Sequence, residues 1–340
     1  MLRASAWSAI RRFELSAARC LLVSGSLRAS GSMPAAAEAA ALPYRLDPLP
    51  IFGAEVHGID LKEELPEATV AAIKEEVLQH RLLVFRDQGI VSGDRQVEIS
   101  RWFGPLESTF YKHPLSPHPD VFRVSNDPAQ GCTGVGRTGW HVDGSFQPAP
   151  FSHALYHIWS CPSQGDTAFA PLREVVAALP PQQRACWERL WMLSDRRSRG
   201  AKPLIYEHPL TGQDTLCFHL GMIDGFVWDM GTPQERAATP AEARQLLAEM
   251  ERVFTHDCAH LIYRHKWRPG DFIISDNLAL GHEAAPETQL PPEQVGLRVM
   301  HRTTVAGQFV PRKRAAVQQA AAAAEATSGR AERQQQGDPA

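Results

Sequence analysis

His141 and Asp143 stand two residues apart in Gly139-Trp-His-Val-Asp-Gly-Ser-Phe146. In extended backbone the side chains alternate sides, so residues i and i+2 project the same way. The spacing predicts a strand that aims one imidazole nitrogen and one carboxylate oxygen at a single small cation. A second histidine from elsewhere would complete a set of two histidines and one carboxylate. That set suits non-haem Fe(II), because it leaves positions free for oxygen and a co-substrate. Alone, the pair is a weak signal. With 14 histidines and 38 acidic residues in the chain, an accidental His-x-Asp on the surface is the ordinary outcome.

The candidate third donor is His282, about 140 positions downstream, past the apolar run Phe272-Ile-Ile and the polar turn Ser275-Asp-Asn. After it comes Gly296-Leu-Arg-Val-Met-His-Arg-Thr-Thr-Val-Ala-Gly307. If this segment is a strand, Arg298, Met300 and Arg302 share one face and His301 points the other way. Four residues of strand span roughly 13 Å, so the two guanidiniums serve different anions, each as the bidentate clamp Arg makes with a carboxylate. Trp140 and Phe146 read as packing beside the donors, and His153, His157, His219 and His301 as structural. Asp271 and Asp276 read as turn formers, Asp276 also as a residue that orients a metal donor.

Positioning these residues requires a set of short elements. Residues 43–61 predict an edge hairpin, being short β-prone runs broken by Pro and Gly. From Pro66 to His80 a helical period places Val70, Ile73, Val77 and Leu78 on one side. Leu82–Phe85 reads as a strand and Asp94–Phe103 as a helix stopped by Gly104-Pro105. Residues 106–138 read as a long loop leading to the His141 strand, with another strand over Ala154–Trp159. Residues 167–169 predict a short strand, and 175–193 a helix broken by prolines. His208-Pro-Leu-Thr-Gly-Gln213 predicts a hairpin turn. Thr239, Pro240 and Glu242 open a helix that runs to about Thr255. Strands are expected over 261–265, 271–275 and 298–305. The fold class is α+β, and many short strands at this spacing suit a double-stranded β-helix, or jelly roll, with flanking helices.

The chain has 340 residues, 44% hydrophobic and 21% charged, which is ample apolar material for a core. A net charge of −3 gives no basic footprint for nucleic acid. No apolar run approaches the roughly 18 residues of a membrane span. Six scattered cysteines form no CxxC pair and suggest reduced thiols. Residues 1–42 hold Arg3, Arg11, Arg12, Arg19 and Arg28 among Ala, Ser and Leu, with Glu14 and Glu38 as the acids. That composition predicts a transit peptide and a mitochondrial location, with a plastid as the alternative. Met33 as an internal start would give a cytosolic form. Residues 312–340 read as a low-complexity tail, which leaves 43–311 as the working domain.

Ordered motifs over roughly 44–311 resemble the TauD/TfdA-like Fe(II)- and 2-oxoglutarate-dependent dioxygenases. They are IFGAEVHGIDL, LLVFRDQ, FGPLE, WHVDGSF, the GDT ending at Thr167, HPLTG, YRHKWRPGDFIISDN, the distal His282 and RVMHRTTVAG. The resemblance implies Fe(II) held by His141, Asp143 and His282 in a double-stranded β-helix. It implies that Thr167 and Arg298 bind the distal carboxylate of the co-substrate 2-oxoglutarate. Arg302 falls where the taurine enzyme grips its sulfonate, and His113 matches a histidine that assists there. The implied reaction consumes O2, turns 2-oxoglutarate into succinate and CO2, and hydroxylates a small anionic molecule, a sulfonate or carboxylate. Partners beyond that molecule, nucleic acid and membrane included, are not expected; a homo-oligomer is compatible with the reading.

The chain departs from the pattern at several positions. Gly136 stands where the taurine enzyme carries an acid, and Ser116 replaces an aromatic. Ser275 stands where a Trp often precedes Asp276. The loop Pro286–Glu293 is longer than the pattern, which leaves open whether Arg298 or Arg302 takes the co-substrate. Asp143 itself is retained, which argues against halogenation. Two further readings stand beside the lead: a silent 2-oxoglutarate-binding sensor, and a desaturase or hydroxylase similar to carnitine-pathway enzymes.

Overall fold

The computed structural model describes residues 43–107, 111–135, 139–162, 164–194 and 200–314. The leader over 1–42, Gly136 and the tail beyond Arg314 lie outside the described residues. The expected edge hairpin forms from β1 (Arg45–Pro48) and β2 (Ala54–His57). In α1 (Glu67–His80), Thr69, Ile73 and Val77 turn inward at the four-residue spacing of a buried helical stripe. It stops where Arg81 adopts a left-handed conformation. β3 (Leu82–Phe85) and α2 (Gly93–Arg101) follow, the latter capped by the Ser92 hydroxyl accepting the Arg95 N–H.

Three expectations about the elements need correction. The stretch 106–138 is not all loop, because it contains β4 (Phe122–Ser125), four residues too short to register as a period. After β5 (His153–Ser160) and β6 (Thr167–Pro171) come α3 (Leu172–Ala178) and α4 (Pro181–Glu188), split by Pro180 as expected. The end of that stretch, however, is β7 (Leu190–Ser194). β7 joins β8 (Ala201–Pro203), β11 (Ile223–Trp228) and β12 (Arg236–Ala237) in a four-stranded sheet the sequence did not suggest. Between them, β9 (Ile205–Glu207) and β10 (Asp214–Leu216) make the hairpin around His208. The third correction is at the end of the chain. Beyond α5 (Pro240–Arg252), β13 (Tyr263–His265) and β14 (Phe272–Asp276), His282 lies within a strand of its own, β15 (Leu280–Ala284). A short α6 (Pro292–Val295) leads to β16 (Val299–Thr304).

The main sheet has the order β1-β2-β3-β14-β5-β16-β4, antiparallel except for β2 beside β3. A second sheet runs β13-β6-β15. Strict alternation along the central strands serves two cores at once. Leu83, Phe85, Leu155, Phe272 and Ile274 face α1 and α2, packing with Ile73, Val77 and Ile99. Their neighbours Leu82, Val84, Tyr156, Ile158 and Ile273 face the second sheet, packing with Phe169 and Leu280. With both faces covered, Leu82-Leu-Val-Phe85 is apolar throughout rather than alternating. The five cysteines described are free thiols. No helix among the described residues is long and apolar enough to cross a membrane.

A third core supports the segment that carries His141. The Thr239 hydroxyl accepts the Glu242 N–H while the Glu242 carboxylate accepts the Thr239 N–H, a capping box that starts α5. α5 ends in a π-helical turn, Val253–Asp257, that turns Phe254 into the interior. Its ring stacks between Trp140 and Phe218, with centroids 5.0 and 5.1 Å away. The residues that follow those two rings in sequence are His141 and His219, which stack on each other at 4.6 Å. Truncating Phe254 would therefore open a cavity directly beneath this pair. Phe254→Ala is expected to lower unfolding free energy by about 3–5 kcal/mol, measured by urea denaturation; a loss under about 1 kcal/mol would show that the sandwich does not support the fold.

Candidate metal centre

His141 and Asp143 do not lie on a continuous strand. His141 is a single bridging residue between two neighbours, and the chain turns directly after Asp143. On one side His141 and His282 exchange both backbone hydrogen bonds, N–H to carbonyl at 3.1 and 2.9 Å. On the other, the Val142 N–H reaches the Phe218 carbonyl and the Leu220 N–H the Trp140 carbonyl. The expected i, i+2 pair thus forms without the expected element. Gly144 makes the turn possible: its φ is +72°, and a Cβ there would meet the Phe151 ring at 2.7 Å.

Asp143 is fixed by Asn277, a residue the sequence reading passed over. The Asn277 Oδ1 accepts the Asp143 N–H at 3.0 Å, and its Nδ2 donates to the carbonyls of Asp143 and Phe151 at 2.9 and 2.6 Å. Asp276, the expected orienting residue, does something else. Its carboxylate accepts the N–H groups of Leu278 and Ala279 and pairs with His208 at 3.1 Å, so it forms the turn and points away from the donors.

One ligand atom from each of His141, Asp143 and His282 lies within 4.8 Å of the others, and all three residues are buried. His141 Nε2 is 3.7 Å from Asp143 Oδ1, and His282 Nε2 is 3.6 Å from Asp143 Oδ2. The His141 Nδ1–H donates to the Gly139 carbonyl at 2.8 Å, which leaves Nε2 with its lone pair facing the cluster. Burial pushes the His282 pKa down to about 3 and lowers that of His141, so both rings are neutral donors near pH 7. Burial pushes the Asp143 carboxyl up, but Arg302, His282, His141 and His219 together hold it far below the usual range. Two neutral imidazoles and one carboxylate converging on a point fit a divalent first-row metal.

The two arginines go to different places. Arg302 Nη1 lies 2.9 Å from both oxygens of Asp143, and its guanidinium sits over the Phe122 ring at 5.1 Å. Arg298 precedes β16 and is 3% exposed. Its Nη2 meets the Met300 sulfur at 3.6 Å, and among the described residues its Nε has no partner and no carboxylate pairs with it. Burial pulls its pKa down to about 10. A buried unpaired guanidinium is costly unless an anion joins it. Thr167 is buried on β6, its hydroxyl accepting the Trp267 indole N–H at 2.9 Å. Cys161 borders both regions: its thiol meets the Trp267 carbonyl and feels the charge of Arg298.

The structure does not bring His113 to the cluster. Its Nε2 meets the Pro128 carbonyl at 3.2 Å, its Nδ1 accepts the Leu115 N–H, and no bond joins it to the donors or arginines among the described residues. Conversely, Tyr156 is at the centre without having been singled out. Its hydroxyl lies 3.5 Å from Asp143 Oδ2 and 3.4 Å from His282 Nε2. A tyrosine in an apolar strand carries no signal of this in the sequence. On the opposite face, His157 and His301 are buried beside Trp159, and His301 meets Arg123 at 2.8 Å, as structural residues would.

Residues 44–304 match the family described as taurine catabolism dioxygenase TauD, TfdA family. The alpha-ketoglutarate-dependent 2,4-dichlorophenoxyacetate dioxygenase of Cupriavidus pinatubonensis is 30% identical over 271 residues, covering 68% of this chain and 88% of the relative. The (S)-phenoxypropionate/alpha-ketoglutarate-dioxygenase of Sphingobium herbicidovorans is 29% identical, covering 75% and 92%. Among solved structures, a taurine dioxygenase from Burkholderia xenovorans superposes with a TM-score of 0.65 at 26% identity, covering 80% of this chain and 92% of that one.

Two outcomes follow from this geometry. Asn277→Ala leaves the Asp143 backbone unclamped and is expected to weaken Mn(II) affinity about 10–100-fold in calorimetry. The pH dependence follows from His282 and His301, both held near 3 against an ordinary 6.5. Between those values the unfolded chain binds protons that the folded chain does not, so stability falls as pH drops through that window. The metal-free protein should therefore melt at progressively lower temperature from pH 7 to pH 5, and a flat profile would contradict the assignment.

Proposed function

The chain belongs to the taurine catabolism dioxygenase TauD, TfdA family, and from that premise we propose that it hydroxylates a small anionic molecule, a carboxylate or a sulfonate. As a member it is a 2-oxoglutarate-dependent non-haem iron dioxygenase, using Fe(II), 2-oxoglutarate and O2. Iron held there would supply the oxidising chemistry, in which O2 and 2-oxoglutarate are consumed and succinate and CO2 are released. The protein's contribution is placement and exclusion of water.

In this reading His141, Asp143 and His282 hold the iron. Arg298 and Thr167 take the distal carboxylate of 2-oxoglutarate. The observation that carries this assignment is the buried, unpaired Arg298 guanidinium: a carboxylate would supply the charge it lacks. Arg302, the more exposed of the two, takes the anionic group of the primary substrate. The named substrates of two relatives, a phenoxyacetate and a phenoxypropionate, are carboxylates and support an anionic class. The facing sheets support a double-stranded β-helix. The arginine-rich leader over 1–42 supports a cleaved import signal into mitochondria, which sequencing the mature N-terminus tests.

Succinate release from 2-oxoglutarate, scored over a panel of carboxylates and sulfonates, is the direct assay. Iron-dependent turnover is expected in the native chain and its loss in Asp143→Ala. Arg298→Gln should raise the KM for 2-oxoglutarate by roughly 10-fold or more, as expected for losing a charge-assisted bond worth about 1.5–3 kcal/mol. If the KM stays put in that variant while Arg302→Gln raises it, the two arginines exchange roles.

A further inference from the structure

Arg302 and Tyr156 are directly opposed across β16 and β5, so their side chains leave the sheet on one face, and both end at Asp143. Arg302 Nη1 spans the two carboxylate oxygens at 2.9 Å each. Those oxygens also face His141 Nε2 at 3.7 Å and His282 Nε2 at 3.6 Å. A metal ion in the triad would draw on the same lone pairs and would repel the guanidinium. Two cations thus compete for one buried carboxylate. Arg302 has somewhere else to go. Its side chain is 15% exposed against 8% for Asp143, it rests on the Phe122 ring, and its Nε has no partner among the described residues.

We propose that Arg302 makes metal binding and anion binding reinforce each other. When the ion takes Asp143, the guanidinium is released to an anion beside Phe122. When an anion holds Arg302, Asp143 is free for the ion. Linkage requires the two effects to be equal in size. The order of assembly follows: an anion meeting the metal-free chain finds Arg302 already neutralised by Asp143. The inference rests on the reading of the triad as a divalent-metal site.

The test is calorimetry of Mn(II) binding to the full chain without 2-oxoglutarate, with and without methanesulfonate at matched ionic strength. In the native protein methanesulfonate should tighten Mn(II) binding about 5-fold or more, and Mn(II) should tighten methanesulfonate binding equally. Arg302→Gln should bind Mn(II) more tightly than the native chain in plain buffer and show no response to the anion. No Mn(II) uptake by the native chain would overturn the metal site and the proposal with it. Uptake that ignores methanesulfonate, or coupling that survives in Arg302→Gln, would overturn the proposal and leave the metal site standing. The native-chain arm decides the matter even if the variant fails to fold.

Discussion

Two backbone hydrogen bonds, exchanged between His141 and His282, are the constraint on which the site depends. In an antiparallel arrangement a pair that exchanges both bonds has directly opposed α-carbons, with side chains on one face. Residues far apart in the chain are thereby held at the separation that a small ion can bridge. The second sheet exists in the right place because β15 pairs with β6 at His282 and Phe169. The bridge to 218–220 closes the other side of His141, and Phe254 locks that side from below. Asp143 needs its own device, because it has left the ladder for a turn. Asn277, two residues after Ser275 on the strand beside β5, supplies it through both ends of one amide.

The electrostatics are arranged around one buried carboxylate and two arginines with opposite circumstances. Asp143 stays ionised against burial because positive and polarisable groups surround it. Arg302 shares in that balance and stays partly exposed. Arg298 has no such partner among the described residues, and burial lowers its pKa. A site with one cation satisfied and one unsatisfied is asymmetric: on the proposed reading the deep position would take an anion outright and the shallow one by exchange. Their different surroundings, Met300 and Cys161 for Arg298 and Asp143 and Phe122 for Arg302, fit the proposal that they serve two molecules.

The main sheet carries different chemistry on its two faces. Toward the second sheet it presents Tyr156 and Arg302 among apolar residues; toward the helices it presents His157 and His301. The helix-side histidines are engaged by Gly89, Trp159 and Arg123. Adjacent residues on one strand thus belong to unrelated environments, the direct result of period-two alternation.

Much of this was legible beforehand. The spacing of His141 and Asp143, the capping residues of α5 and the turn at His208 are local signals, and local signals survive in a one-dimensional string because backbone geometry within a few residues is set by those residues; the distal His282 was placed with them by the family resemblance. Strand rise alone predicted different anions for Arg298 and Arg302; Arg298 stands outside β16, and the two have different neighbours. What the string could not carry was pairing. β4 and β15 are strands because a partner lies beside them, the His141 segment meets its requirement as a bridge instead of a strand, and the four-stranded sheet joins pieces with no periodic mark. Tyr156, Asn277 and Phe254 matter through contacts with residues more than ten, and mostly more than a hundred, positions away, so nothing in their neighbourhoods announces them. Residue chemistry decided which atoms could hold the ion; only the long-range backbone hydrogen bonds decided that they would meet.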